Sequence, residues 1–423
     1  MTMRSAGPHC RASSPADITT TAATTLLFAA LASFPTANYD EHYGSMWSLV
    51  EPSRIYAQRA GWYIAQATMD WPDATGTTDN RTLAILKNGT SFCTQNRVLS
   101  SSSSPANYTA AALVYLEVGD YLTVQVSKTA AGTVTPTFGS LAMAWVAPAD
   151  GDGVIVSRST TQSINNVTAT NISFDAADKA TGATMWSSGA TVTVPSDGWY
   201  IVSGSAGWDT ASASLGRRLW IDASGTGNNQ CNRISSHGTT AATLEHNVCA
   251  AVYIASGGTV KLTVDQNSGA NRNVIAGSRL AVVRVPNITD GVALSRTTTQ
   301  TSGAVRPVQF TSELRDDGGM ADIVADNTKI TIQQRGVYLV TGYIHAGTSN
   351  VSHKVADIHE SGTNILGYNS IPSPSAHNDP SLAAFFLGFL EQGKTLQLRY
   401  NPGSSNSSIL AARFQVLRIP DPA

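Results

Sequence analysis

Apolar and polar residues alternate along most of this chain. In the run Gly119 to Val126, Leu122, Val124 and Val126 fall on one side, with Thr123 and Gln125 on the other, the period of two of a half-buried strand. The same turn and alternation recur in Gly257 to Val264 and in Gly393 to Tyr400. Upstream of each stands a second landmark: Gly61-Trp62-Tyr63-Ile64, Gly198-Trp199-Tyr200-Ile201 and Gly336-Val337-Tyr338-Leu339, at offsets of 137 and 138 residues. A third closes each unit, at Leu141 to Val146, Leu280 to Val285 and Phe414 to Ile419. Three landmarks in one order, three times over, predict a tandem repeat of long period. Each unit holds roughly eight to ten short strands over about 135 residues, the arithmetic of a β-sandwich.

The upstream parts repeat as well. Ser157-Arg158-Ser159-Thr160-Thr161-Gln162 matches Ser295-Arg296-Thr297-Thr298-Thr299-Gln300, with a degenerate copy near Thr19 to Thr21. Pro148 to Gly153 and Pro286 to Gly291 read as breaks, because proline removes a strand donor and glycine frees the backbone. The expected layout is an N-terminal arm over residues 1–16 and domains over 17–150, 151–288 and 289–423. Thr25 to Ala32 is too short to span a bilayer. With Arg4 and Arg11 before it, this run has features of a secretory signal, but the repeat needs Leu26 to Phe34 as a first strand.

Composition agrees with strands and narrows the partners. Charged residues make up 13% of the 423, with 27 basic against 29 acidic and a net charge of −2, so no electrostatic drive toward nucleic acid or an anionic membrane is expected. A hydrophobic fraction of 42%, with 8 Trp and 13 Tyr, excludes a disordered chain.

The order of landmarks resembles the globular heads of the complement first component and of tumour necrosis factor. Phe310 through Met320 to Gly336-Val337-Tyr338, the Gly119-Asp120 turn and the closing Phe414 to Ile419 carry the likeness. It implies an all-β chain of three tandem jelly-roll β-sandwich domains. The family associates as trimers, so the resemblance implies a homotrimer or an intramolecular pseudo-trimer. Short linkers permit either a closed ring or a rod of stacked domains. The Thr-rich, charge-poor character with a Thr-Thr-Thr-Gln first strand is similar to structural proteins of tailed bacteriophages. These are fold motifs and bring no catalytic residues with them.

Cys231 and Cys249 lie symmetrically about Thr240, inside an expected hairpin tip, which makes them a candidate disulfide or two buried apolar thiols. Cys93 matches Cys231, but the position matching Cys249 is Ala111. His353, Asp357 and His359 share a strand parity, with His345 nearby, yet exposed histidines are the expected reading and no metal site is assigned. No hydrolase elbow, zinc-protease signature, P-loop or dinucleotide fingerprint occurs, so neither catalysis nor a cofactor is expected. Trp71 and Trp208 are equivalent and stand beside acidic residues, which makes them candidates for stacking on a sugar. The loops of unit three, above all Ser370 to Pro380, are a second place to look for a ligand.

The expected function is a non-enzymatic virion surface protein. As a minor tail or tail-tip protein it would dock to other virion proteins through its arm and display loops to a host glycan. Head decoration, a secreted adhesin and a polysaccharide depolymerase are the alternatives.

Overall fold

A computed structural model of the chain describes residues 9–14, 24–25, 46–48, 50–71, 79–100, 106–128, 138–209, 215–224, 230–238, 244–302, 304–347, 354–362, 364–371, 380–403 and 407–420. Among them no helix occurs. Unit one is built on β1 (His9–Ser14), β2 (Gly61–Trp71), β3 (Asp79–Lys87), β4 (Ser91–Ser100), β5 (Ala106–Leu116), β6 (Tyr121–Lys128) and β7 (Phe138–Pro148). Unit two repeats them as β8 (Gly153–Ser157), β9 (Gly198–Trp208), β10 (Leu215–Ala223), β11 (Gln230–Gly238), β12 (Leu244–Ile254), β13 (Thr259–Gln266) and β14 (Arg279–Val285). Unit three follows with β15 (Gly291–Arg296), β16 (Gly336–Ala346), β17 (Lys354–Glu360), β18 (Asn364–Ile371), β19 (Ser381–Leu390), β20 (Thr395–Asn401) and β21 (Ser407–Arg418).

The inner sheet of unit one has the order β1-β7-β2-β5 and faces an outer sheet β4-β3-β6; units two and three repeat both orders. All pairs are antiparallel. The chain crosses from one sheet to the other after the second, fourth, fifth and sixth strands, which is jelly-roll wiring. The turn before each sixth strand uses Gly119, Gly257 or Gly393 at φ of 87°, 76° and 82°, a left-handed conformation that glycine adopts without strain.

The inner sheets are apolar on both faces, and both faces are buried. Along β2, Tyr63, Ala65, Ala67 and Met69 fill the core of unit one. Trp62 and Ile64, on the opposite side, join a cluster shared with units two and three. In β19 the same division sends Leu382, Ala384 and Phe386 inward and Ala383, Phe385 and Leu387 outward. A strand covered twice loses its alternation and reads as a continuous apolar run.

The Ser-Arg-x-Thr-Thr-Gln repeat is a loop clamp. Arg158 donates to the carbonyls of Ser173 and Thr161, while Gln162 donates to Asn171 O and accepts from Ser173 N. Arg296 and Gln300 make the matching bonds to Gln309, Thr299 and Pro307. The copy at Thr19 to Thr21 and the run Leu26 to Phe34 lie outside the described residues. Likewise, Tyr63, Tyr200 and Tyr338 each donate a hydroxyl proton to the carbonyl four residues back, at Arg59, Ser196 and Gln334.

The expected N-terminal arm is corrected in part. His9 to Ser14 pair with β7 from His9↔Ala144 to Ser14↔Gly139, and bury Cys10 and Ala12. They are the first strand of unit one, equivalent to β8 and β15. The strand escaped notice because its two inward side chains are small and give almost no hydrophobic contrast.

Candidate functional site

Each unit presses its fourth strand, the edge of its outer sheet, onto the inner sheet of the next. Strand β4 packs on β12, β11 on β19, and β18 returns to β5, so the three sandwiches close a cycle within one chain. At the first of these interfaces the backbones pair directly at Glu245↔Arg97, which joins the inner sheet of unit two to the outer sheet of unit one.

Closing the cycle buries the edge strand β5 in an interface, where its outward amide groups need partners. Asn247 supplies them. Its Oδ1 accepts from Ala111 N at 2.7 Å, and its Nδ2 donates to Ala111 O and to Thr94 Oγ1, each at 2.8 Å. The side-chain amide stands in for the peptide of a missing neighbour strand. Leu113 N donates to Ser203 Oγ at 2.9 Å, and at the third interface Gln66 Nε2 donates to Phe385 O at 2.9 Å.

The interfaces share parts. Lys179 Nζ sits 3.6 Å from the centroid of the Tyr115 ring, and the equivalent Arg315 lies 4.1 Å from Tyr253. Trp62 Nε1 donates to Thr181 Oγ1 at 2.9 Å, while Trp199 Nε1 donates to Asp317 Oδ2 at 2.7 Å. Cys93 and Cys231 are the bulged residues of β4 and β11, each reached by an arginine from the next unit, Arg279 or Arg413.

The first interface also holds a cleft of about 260 Å³, lined by Phe92, Cys93, Tyr115, Lys179, Ser205 and Arg279 among others. A second hollow of about 330 Å³ shares Phe92, Cys93, Thr94, Ser205 and Arg279. Two of the cations around the cleft are paired with carboxylates. Arg279 is paired with Asp178 and donates to Phe92 O at 2.7 Å across the interface. Lys87 Nζ lies 2.7 Å from Asp120 Oδ2 and donates to Tyr115 O at 3.0 Å. Burial pushes the Cys93 thiol up to about 11, against smaller opposing effects of Arg279 and Lys87, so it stays protonated near neutral pH. The ring of Phe92 is 50% exposed and stands at the mouth.

The residues singled out from sequence are elsewhere. Trp208 is fully buried, with the Arg217 guanidinium 5.5 Å from its ring, so it is a core residue and offers no face to a ligand. The side chain of Trp71 lies outside the described residues. Cys231 and Cys249 form no disulfide. The expected hairpin does not exist, because β11 pairs with β10 in the outer sheet while β12 pairs with β9 in the inner one. Burial pushes the Cys249 thiol up to about 12. His359 Nε2 lies 3.0 Å from Asp357 Oδ1, and Arg399 Nη1 lies 3.2 Å from the other ring nitrogen. His353 lies outside the described residues, as does most of Ser370 to Pro380, and no metal-binding group of three occurs among the described ones. The cleft was missed because its residues come from both units and are far apart in sequence. The one available signal was Ser205, a small residue where unit three has Tyr343.

No protein-family description and no curated protein sequence matches the chain. Solved structures similar to part of it include the globular domain of zebrafish complement 1qA protein, with 15% identity and a TM-score of 0.26 over 31% of this chain and 99% of that one. Murine APRIL at pH 5.0 is 13% identical, with a TM-score of 0.27 over 32% of this chain and 99% of its own. Eiger TNF from S. frugiperda is 13% identical, with a TM-score of 0.27 over 33% and 96%.

Proposed function

We propose that this chain is a non-enzymatic structural protein of a tailed-bacteriophage particle, a minor tail or tail-tip protein whose jelly rolls hold loops for attachment to a host surface. The observation that carries the reading is the cyclic packing of β4 on β12, β11 on β19 and β18 on β5. A chain that buries both faces of every inner sheet spends its apolar surface on rigidity, which suits holding loops at fixed separations. The particle itself is inferred from the Thr-rich, charge-poor sequence and its phage-like Ser-Arg-x-Thr-Thr-Gln segments, which the fold places in the loops after the first strands. Since His9 to Ser14 are committed to unit one, docking to other virion proteins falls to other surfaces in this reading.

Immunogold electron microscopy of particles from a culture producing the chain, with antibody against residues 291–418, tests the placement. Label at the tail end is the expected result. Label over the head would replace attachment by capsid decoration, and absence of label on particles, with the chain recovered from the medium, would replace both by a secreted adhesin.

A further inference from the structure

We infer that the cleft between units one and two binds a neutral sugar ring of monosaccharide size through the Tyr115, Phe92, Lys179, Ser205 and Arg279 side chains. The first argument is a difference between interfaces that otherwise repeat. Ser205 of β9 lines the cleft, and the residue at the same place in β16 is Tyr343. At the second interface Tyr343 is buried to 1% exposure and faces Cys231 and Arg413, the partners of Cys93 and Arg279 at the first. The cleft is therefore the space a tyrosine fills one interface further on.

The second argument is its chemistry. Its volume of about 260 Å³ gives room for a small polar molecule of monosaccharide size. The exposed Phe92 offers apolar carbon to a ring face, Tyr115 under Lys179 forms part of the wall, and the hydroxyl of Ser205 with the polar atoms of Asp178, Lys179 and Arg279 offers hydrogen bonds to the ring's edges. Arg279 is neutralised by Asp178 and Lys87 by Asp120, while Lys179 rests on the Tyr115 ring. A neutral polyol can bind without separating these pairs, whereas an anion drawn to Arg279 or Lys87 would have to compete with Asp178 or Asp120 and would share the cleft with the carboxylate of Glu117. That the sugar belongs to a host surface rests on the attachment reading above; the site itself does not.

Saturation-transfer NMR on the full chain, with glucose, galactose, N-acetylglucosamine, rhamnose and the anionic glucuronate as probes, tests the inference. Transfer to at least one neutral sugar, with Kd on the order of 1 mM, is expected, with loss of that transfer in Ser205→Tyr, whose substituent the chain already houses in unit three. Lys179→Ala, at a half-buried surface position, should weaken the same binding roughly fivefold and serves if Ser205→Tyr misfolds. Transfer to no neutral sugar, to glucuronate alone, or transfer undiminished in both variants would overturn the inference. Each of these results is independent of where antibody labels a particle.

Discussion

The indole ring of Trp62 stands against the α-carbon of Gly153, so near that a β-carbon there would lie 2.5 Å from the ring. The contact joins unit one to the first residue of β8, and Trp199 repeats it at 2.6 Å against Gly291, the first residue of β15. Unit three carries Val337 at this position.

Gly153→Ala is therefore expected to cost about 1–3 kcal/mol, because ring and backbone must part. Chemical denaturation measures it. A midpoint equal to that of the parent would mean the Trp62 contact is not tight in solution.

Asn247→Ala removes the side chain that meets both amide groups of Ala111. A loss of roughly 1–3 kcal/mol is expected from the groups left unpaired, together with faster hydrogen exchange at Ala111 and unchanged exchange within β20. Protection at Ala111 that survives the substitution would show that another group reaches the edge strand.

Cys231 and Cys249 are buried thiols, so a thiol reagent at pH 8 should modify neither in the native protein and both after unfolding in denaturant. Intact mass should be the same with and without reductant. A decrease of about two protons without reductant would restore the disulfide.

Burial, with a smaller push from Arg217, lowers His246 to about 3. Unfolded histidine binds its proton near about 6.5. Between these values only the unfolded chain is protonated at this group, so stability falls as pH drops from 6.5 toward 3, by up to about 1.4 kcal/mol per pH unit. His246→Tyr, which places there the residue of the matching position Tyr108, should flatten that part of the curve. Melting temperatures from pH 7 to pH 4 compare the two, and identical slopes would remove His246 as a source.

What the sequence disclosed follows from where water is. The outer strands alternate because one face is wet, so Leu122, Val124 and Val126 announced their sheet directly. The inner strands could be located by Gly-Trp-Tyr but not oriented, since Trp62 and Tyr63 are both buried, one by a neighbour and one by its own core. Symmetry about Thr240 misled because it presumed that consecutive strands pair, whereas the chain changes sheets between β11 and β12. The cleft between units one and two was the least legible part, being made by Phe92 and Cys93 on one unit and Ser205 and Arg279 on another. Only the closed packing brings them together.

Cyclic closure within a single chain also changes what mutation can do. In a ring of three identical subunits, every substitution appears three times, so a gap opened at one junction is opened at all of them. Here the three corresponding positions are Thr68, Ser205 and Tyr343, written separately in the gene, and each junction can drift by itself. The seam at Ser205 can stay open while the one at Tyr343 is filled, a difference that three identical subunits could not hold.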